Sequence, residues 1–228
     1  MPTASSKNLW RSLRVDQGPS RPEKETRALL TELCRKHPLH ARLLNTFSWM
    51  EHVGSRKILL SQSGAAMSED VLRHLAEEAR HAHFFRKAAE RVSARGMDYS
   101  EGDTLARASS RGYLERLDAA IARELGKERP LAYRYVTLAI ELRAEWLYKI
   151  YEEVLRSEGV ALTLSSVLSE EEAHLREMDD VLRETDPAYG PRRQVFEALE
   201  SRLFERWLGA VRQAAFPVVP ARAQWTLL

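Results

Sequence analysis

Two short segments set the same pair of metal-capable side chains at the same spacing. In EEARHAHFF (77–85), Glu78 and His81 lie three residues apart, and in SEEEAHLREM (169–178) so do Glu171 and His174. Residues three and four apart share one face of a helix. Val71, Leu75, Glu78, His81, Ala82, Phe85 and Ala89 therefore form one stripe. Leu164, Val167, Leu168, Glu171, His174, Leu175, Met178 and Val181 form a second, with Glu and His in the middle of both. A carboxylate on an apolar face is costly to bury unless it is paired or bound to a metal. A single E-x-x-H in a charged helix is ordinarily a surface ion pair worth ~0.3 kcal/mol. Here the two motifs superpose on an offset of 93, with Leu75 on Leu168 and Phe85 on Met178, which is an internal duplication of pattern. Glu77, Glu170 and Glu172 are read as pointing to water or to a flank.

A metal reading requires a further carboxylate from each preceding helix. In NTFSWMEHVGSRKILL (45–60), Glu51 sits among Leu44, Phe47, Met50 and Gly54, about as far before a turn near Gly64 as Glu78 lies after it. In TLAIELRAEWLYKIYEEVL (137–155) there are two choices, Glu141 and Glu145. Spacing favours Glu145, which precedes Glu171 by 26 residues, against 27 between Glu51 and Glu78. Local pattern favours Glu141, because Ala144 follows it as Gly54 follows Glu51, and a small residue there leaves room beside a metal. Glu141 is read as the principal ligand and Glu145 as an additional or switching one. One Glu from each of two helices plus a Glu-x-x-His from each of two others is the ligand set of di-iron and di-manganese carboxylate bundles. Four carboxylates neutralise two divalent cations, each imidazole binds one, and the donors suit two Fe ions first, with Mn/Fe or Mn/Mn also accommodated. His74, four residues before Glu78 on the same face, is either an extra ligand or a supporting group, and its counterpart is Val167. Tyr148, one turn beyond Glu145, is either a hydroxyl donor at the site or packing. His83 and His52 read as surface or flank, His37 and His40 as helix-start residues around Pro38, and Trp49 and Trp146 as core.

These groups need helices to position them, and periodicity predicts helices almost throughout. They fall at about 23–36, 38–62, 68–94, 130–157, 165–184 and 192–214, with one more around YLERLDAAIAREL (113–125) inside a polar connection. Pro38 and Pro130 suit first turns. Ser68, followed by Glu69 and Asp70, is a helix-start signal, and Gly96 a stop. No segment alternates like a strand. Two antiparallel helix pairs joined by one long crossover make an all-α, ferritin-like four-helix bundle with flanking N- and C-terminal helices. The chain divides into a flexible tail (1–20), a single helical domain (21–214, core about 38–184) and a C-terminal tail (215–228).

At these residues the chain resembles the ferritin-like superfamily of di-iron carboxylate proteins. The resemblance covers about 38–184 and rests on E-x-x-[GA] in the first helices (Glu51, Glu141) and E-x-x-H in the second (Glu78/His81, Glu171/His174). EEARH also looks like the oxygen-activating branch, which includes the ribonucleotide reductase small subunit and the bacterial monooxygenases. The resemblance implies that the reduced metals react with O2 or peroxide.

The remaining composition narrows the class. A net charge of +2 makes no demand for nucleic acid or an anionic membrane, and the basic run ARASSRGYLER (106–116) alternates with acids. Cys34 is the single cysteine, which excludes an intramolecular disulfide and an iron–sulfur centre and fits a reducing, cytoplasmic setting. The first residues lack the apolar run of a secretory signal, and no stretch is apolar enough for a membrane span. The expected function is an O2-activating di-metal oxidoreductase, oxidase or oxygenase, acting on a small organic substrate. Its electrons would come from an external reductase or ferredoxin, and a homodimer is compatible. Iron oxidation and storage, peroxide consumption and a purely structural metal are the alternatives.

Overall fold

The computed structural model of the protein describes residues 21–61 and 67–217. They form seven helices: α1 (Arg21–Cys34), α2 (His37–Ser61), α3 (Glu69–Ser93), α4 (Arg107–Leu125), α5 (Arg129–Ser157), α6 (Ser165–Thr185) and α7 (Tyr189–Ala215). Among the described residues there is no strand, and no helix is long and apolar enough to cross a membrane. The predicted N-terminal tail, the turn near Gly64 and most of the predicted C-terminal tail lie outside the described residues.

Local chemistry explains where the helices begin and end. The Ser68 hydroxyl accepts a hydrogen bond from the Val71 amide at 3.3 Å, with Glu69 and Asp70 at the positive end of α3. Pro130 stands in the first turn of α5. The stop of α3 comes before Gly96: Ala94 takes the left-handed conformation (φ 53°) and ends the helix. The crossover helix α4 starts earlier than expected, because Ser110, Tyr113, Leu114, Leu117, Ile121 and Leu125 form one continuous buried stripe.

Helix α2 runs antiparallel to α3. Phe47 packs on Phe85, the Ser48 hydroxyl donates to the Ala82 carbonyl at 2.6 Å, and Gly54 faces Glu78, so numbers rise along one helix as they fall along the other. Helices α5 and α6 pair in the same sense. The Tyr135 hydroxyl donates to Asp186 at 2.5 Å, and Glu152 accepts from the Leu164 amide at 2.6 Å. The pairs join where Arg73 of α3 meets Glu177 of α6 at 2.9 Å and where Phe47 of α2 packs on Tyr148 and Tyr151 of α5. Helix α4 is tied to α2 by Lys57–Asp118 (2.6 Å) and to α7 by the Trp207 indole, which donates to Ser110 at 2.9 Å. Phe47, Phe85 and Tyr148 meet with ring centroids 5.3–5.6 Å apart and form an apolar floor under the polar residues. Buried side chains of this size contribute roughly 1.5–3 kcal/mol each.

Candidate metal centre

Helices α2, α3, α5 and α6 bring Glu51, Glu78, His81, Glu141, Glu171 and His174 together in the interior, all buried. Two overlapping groups have ligand atoms within 4.8 Å of one another: His74, Glu78, Glu141 and His174, and Glu51, Glu78 and His81. Glu78 belongs to both. Glu171 lies beside the second group, with Oε1 3.2 Å from His81 Nδ1. His74 Nε2 sits 3.3 Å from Glu78 Oε1 and 3.1 Å from Glu141 Oε1, which places it in the cluster.

The two motif histidines are held crosswise. His81 Nε2 bonds Glu170 at 2.8 Å, and His174 Nε2 bonds Glu77. These carboxylates immediately precede Glu171 and Glu78 in sequence, so each motif orients the imidazole of the other. Glu77 and Glu170, expected to point to water or a flank, instead fix the ring nitrogens that face outward. The inward nitrogens, His81 Nδ1 and His174 Nδ1, are buried without a hydrogen-bond partner, as is Glu141 Oε2. His174 Nδ1 is 3.6 Å from Glu141, too far for a hydrogen bond. An unsatisfied buried polar atom costs about 1–3 kcal/mol. Three such atoms aimed into one carboxylate cluster fit divalent cations, which would satisfy all of them. The Tyr148 hydroxyl donates to Glu51, completing the buried network.

Burial raises Glu51 well above the usual carboxylate range, and the Glu78 charge adds to it. Burial and then the Glu141 charge do the same to Glu171. Burial also works to raise Glu141, but the hydrogen bond from Glu171 and the imidazoles of His174 and His74 outweigh it and hold Glu141 below that range. Burial opposes a charge on His74, whereas its bonds to Glu141 and Glu78 raise it to about 11.

Cavities reach the cluster from two sides. One of about 60 Å³ lies against Glu51 and Glu78 and is walled by Phe47, Leu114, Ile140, Ala144, Leu147 and Trp207. A second, of about 110 Å³, shares Gly54, Glu78, Leu114 and Ile140 with it, touches His74 and Glu141, and runs out to Lys57 and Asp118. A third, of about 140 Å³, opens on His74 and His174 near Ser68. In the inner cavity the polar groups are already engaged: Tyr113 and Arg143 bond Glu200, and Tyr148 bonds Glu51. A Cβ on Gly54 would lie 2.9 Å from Glu78 Oε2, so glycine there lets α2 approach the Glu78 carboxylate.

Glu145 does not enter the cluster. Its side chain is 22% exposed and is bonded by Lys149 at 2.7 Å on the surface of α5. His83 is exposed, and His52 stacks on Tyr99 with ring centroids 5.5 Å apart. His40, read as a helix-start residue, is fully buried and bonds the Tyr151 hydroxyl at 2.5 Å.

No family model matches the chain, and neither a curated protein nor a solved structure matches it.

Proposed function

We propose that this chain is an O2-activating di-metal carboxylate oxidoreductase of ferritin-like architecture acting on a small organic substrate. The observation that carries the reading is the crosswise holding of His81 and His174. Each outer nitrogen is fixed by a carboxylate, and each inner nitrogen faces buried carboxylates without making a hydrogen bond. Glu51, Glu78, His81, Glu141, Glu171, His174 and His74 would hold two ions, Glu78 being common to both groups of donor atoms. Two Fe ions suit this donor set best, and a Mn/Fe or Mn/Mn pair also suits it. When bound and reduced, such a pair supplies the electrons that activate O2.

The chain's own residues would do the rest. Glu77 and Glu170 orient the imidazoles and keep Nε2 protonated, which directs Nδ1 inward. Tyr148 holds Glu51 by its hydroxyl. The apolar wall from Phe47 to Trp207 would keep bulk water from the Glu51–Glu78 side. The one cysteine, Cys34, is buried in the apolar core and its thiol is pushed up to about 12 by burial, so turnover would draw electrons from a separate donor.

Anaerobic titration with Fe(II) tests the reading. About two ions should bind per chain, the Glu78→Ala/Glu171→Ala double variant should hold far less, and O2 should be consumed in proportion to the bound iron. Wild-type iron content in that variant refutes the site. Continued oxidation far beyond two equivalents, with a mineral core retained in a large shell, refutes the oxidoreductase in favour of iron storage.

A further inference from the structure

The duplication that maps Glu77, Glu78 and His81 onto Glu170, Glu171 and His174 fails at one buried position inside the cluster. The same offset maps His74 onto Val167. Both are enclosed, His74 at 8% exposure and Val167 at 2%. On one side of Glu78 there are thus two imidazoles, His74 and His174, with ring centroids 4.5 Å apart and with Glu141 within reach. On the other side there is one imidazole, His81, with Glu51 and Glu171. The nitrogens of His74 are arranged like those of the other two histidines: Nδ1 meets an outer oxygen, the Tyr133 hydroxyl at 3.3 Å, and Nε2 faces the cluster carboxylates. A side chain placed only for packing would not need both.

We infer that the two metal positions are unequal. The position flanked by His74 and His174 binds the more tightly and selects ions that favour nitrogen, while the position at Glu51, His81 and Glu171 is the weaker and favours oxygen-loving ions. Imidazole stabilises ions late in the divalent series, such as Co(II) and Zn(II), more than it does Mn(II), whereas carboxylates suit Mn(II). Adding one imidazole to one half of an otherwise duplicated site, where the other half has Val167, therefore separates the two positions in both affinity and preference. The inference rests on the di-metal reading above and goes beyond it, because the duplicated motifs alone would make two equal sites.

The test is a Co(II) titration followed by visible absorption, run on the full chain and on His74→Val, which installs the residue of the other half. Crystals of the wild type soaked in equimolar Co(II) and Mn(II) provide anomalous data at both edges. Wild type should bind two Co(II) in steps at least about tenfold apart, a difference of ~1.4 kcal/mol. His74→Val should keep two Co(II) while the stronger step weakens to within a few-fold of the other. In the mixed crystals cobalt should concentrate beside His174 and manganese beside His81. Equal steps in the wild type overturn the inference and leave the di-metal reading intact. So do steps that persist unchanged in His74→Val, since repulsion between the two ions would then account for them. Should His74→Val fail to fold, the wild-type crystals decide: an even cobalt–manganese distribution over both positions overturns the inference. Failure of the wild type to bind either ion refutes the di-metal reading, and the inference with it.

Discussion

Removal of the outer carboxylates should weaken metal binding unequally. Glu77 fixes His174 and Glu170 fixes His81, each through Nε2. Losing such a partner frees the ring to rotate and lowers its basicity, which costs roughly 10- to 100-fold in metal affinity, about 1.4–2.7 kcal/mol. The surroundings decide where each falls in that range. The Glu77 side chain is 14% exposed and Arg80 lies 3.7 Å away. The Glu170 side chain is 31% exposed and is shared with Arg80 at 2.9 Å, so water and a competing cation already screen it. Glu77→Ala is therefore expected near 100-fold on the ion bound by His174, and Glu170→Ala near tenfold on the ion bound by His81. Glu77→Gln keeps an oxygen that can accept from Nε2–H and should recover most of the loss. Competition between the protein and a coloured chelator for Co(II) reads both constants directly. Wild-type affinity in both alanine variants would show that packing alone orients the imidazoles and would refute the role given to these carboxylates.

Gly54→Leu is expected to weaken metal binding as well as close the cavity, because even its Cβ would meet Glu78 Oε2 at 2.9 Å; unchanged Co(II) affinity in Gly54→Ala would contradict that geometry. For His40, burial, reinforced by the neighbouring His37 charge, lowers the folded value to about 4, whereas the unfolded chain takes up its proton near ~6.5. Stability from His40 is thus complete above that pH and is lost as pH falls toward 4, at up to about 1.4 kcal/mol per pH unit, and urea melts of His40→Asn should show a shallower dependence in that window. Glu200→Ala leaves the half-buried Arg143 guanidinium without its two bonds of 2.9 and 2.7 Å and should cost about 3 kcal/mol by chemical denaturation, whereas Tyr113→Phe, which removes one hydrogen bond to the same carboxylate, should cost about 1.

The helices and the buried cluster of carboxylates and imidazoles were legible because both follow from short-range periodicity. An apolar stripe interrupted twice by Glu-x-x-His needs no tertiary information, and Pro38, Pro130 and Ser68 mark helix starts through their own backbone chemistry. Glu77 and Glu170 were missed because a residue adjacent to an inward-facing one lies about 100° around the helix, on a flank that can as well face water as a neighbouring helix. A signal did exist: the doubled acid recurs in Glu77–Glu78 and Glu170–Glu171 on the same offset as His81 and His174. The choice between Glu141 and Glu145 could not come from spacing, because residues four apart share a face. Position along α5 decides it, and Glu145 emerges beside Lys149 at the surface. The wall that Trp207 and Leu114 lend to the inner cavity depends on which side of the bundle α4 and α7 cover, and periodicity within a helix carries no information about that.

The charge inside the cluster bears on how such a buried constellation would exchange protons for cations. Four carboxylates enclosed together cannot all stay ionised without compensation. Without metal, burial and neighbouring charge favour the protonated forms of Glu51 and Glu171, while Glu141 stays ionised against a protonated His74. Protons on these groups thereby offset part of the negative charge of the metal-free interior. Two divalent cations would supply the same compensation from within, and ligation requires the carboxylates and imidazoles in their deprotonated forms. Loading would then expel protons from Glu51, Glu171 and His74, so the proposed affinity for metal should increase with pH through the range in which those groups hold their protons. The helices need not rearrange for this exchange, because Glu77 and Glu170 hold the His174 and His81 rings from outside the cluster and Tyr148 holds Glu51 from its edge.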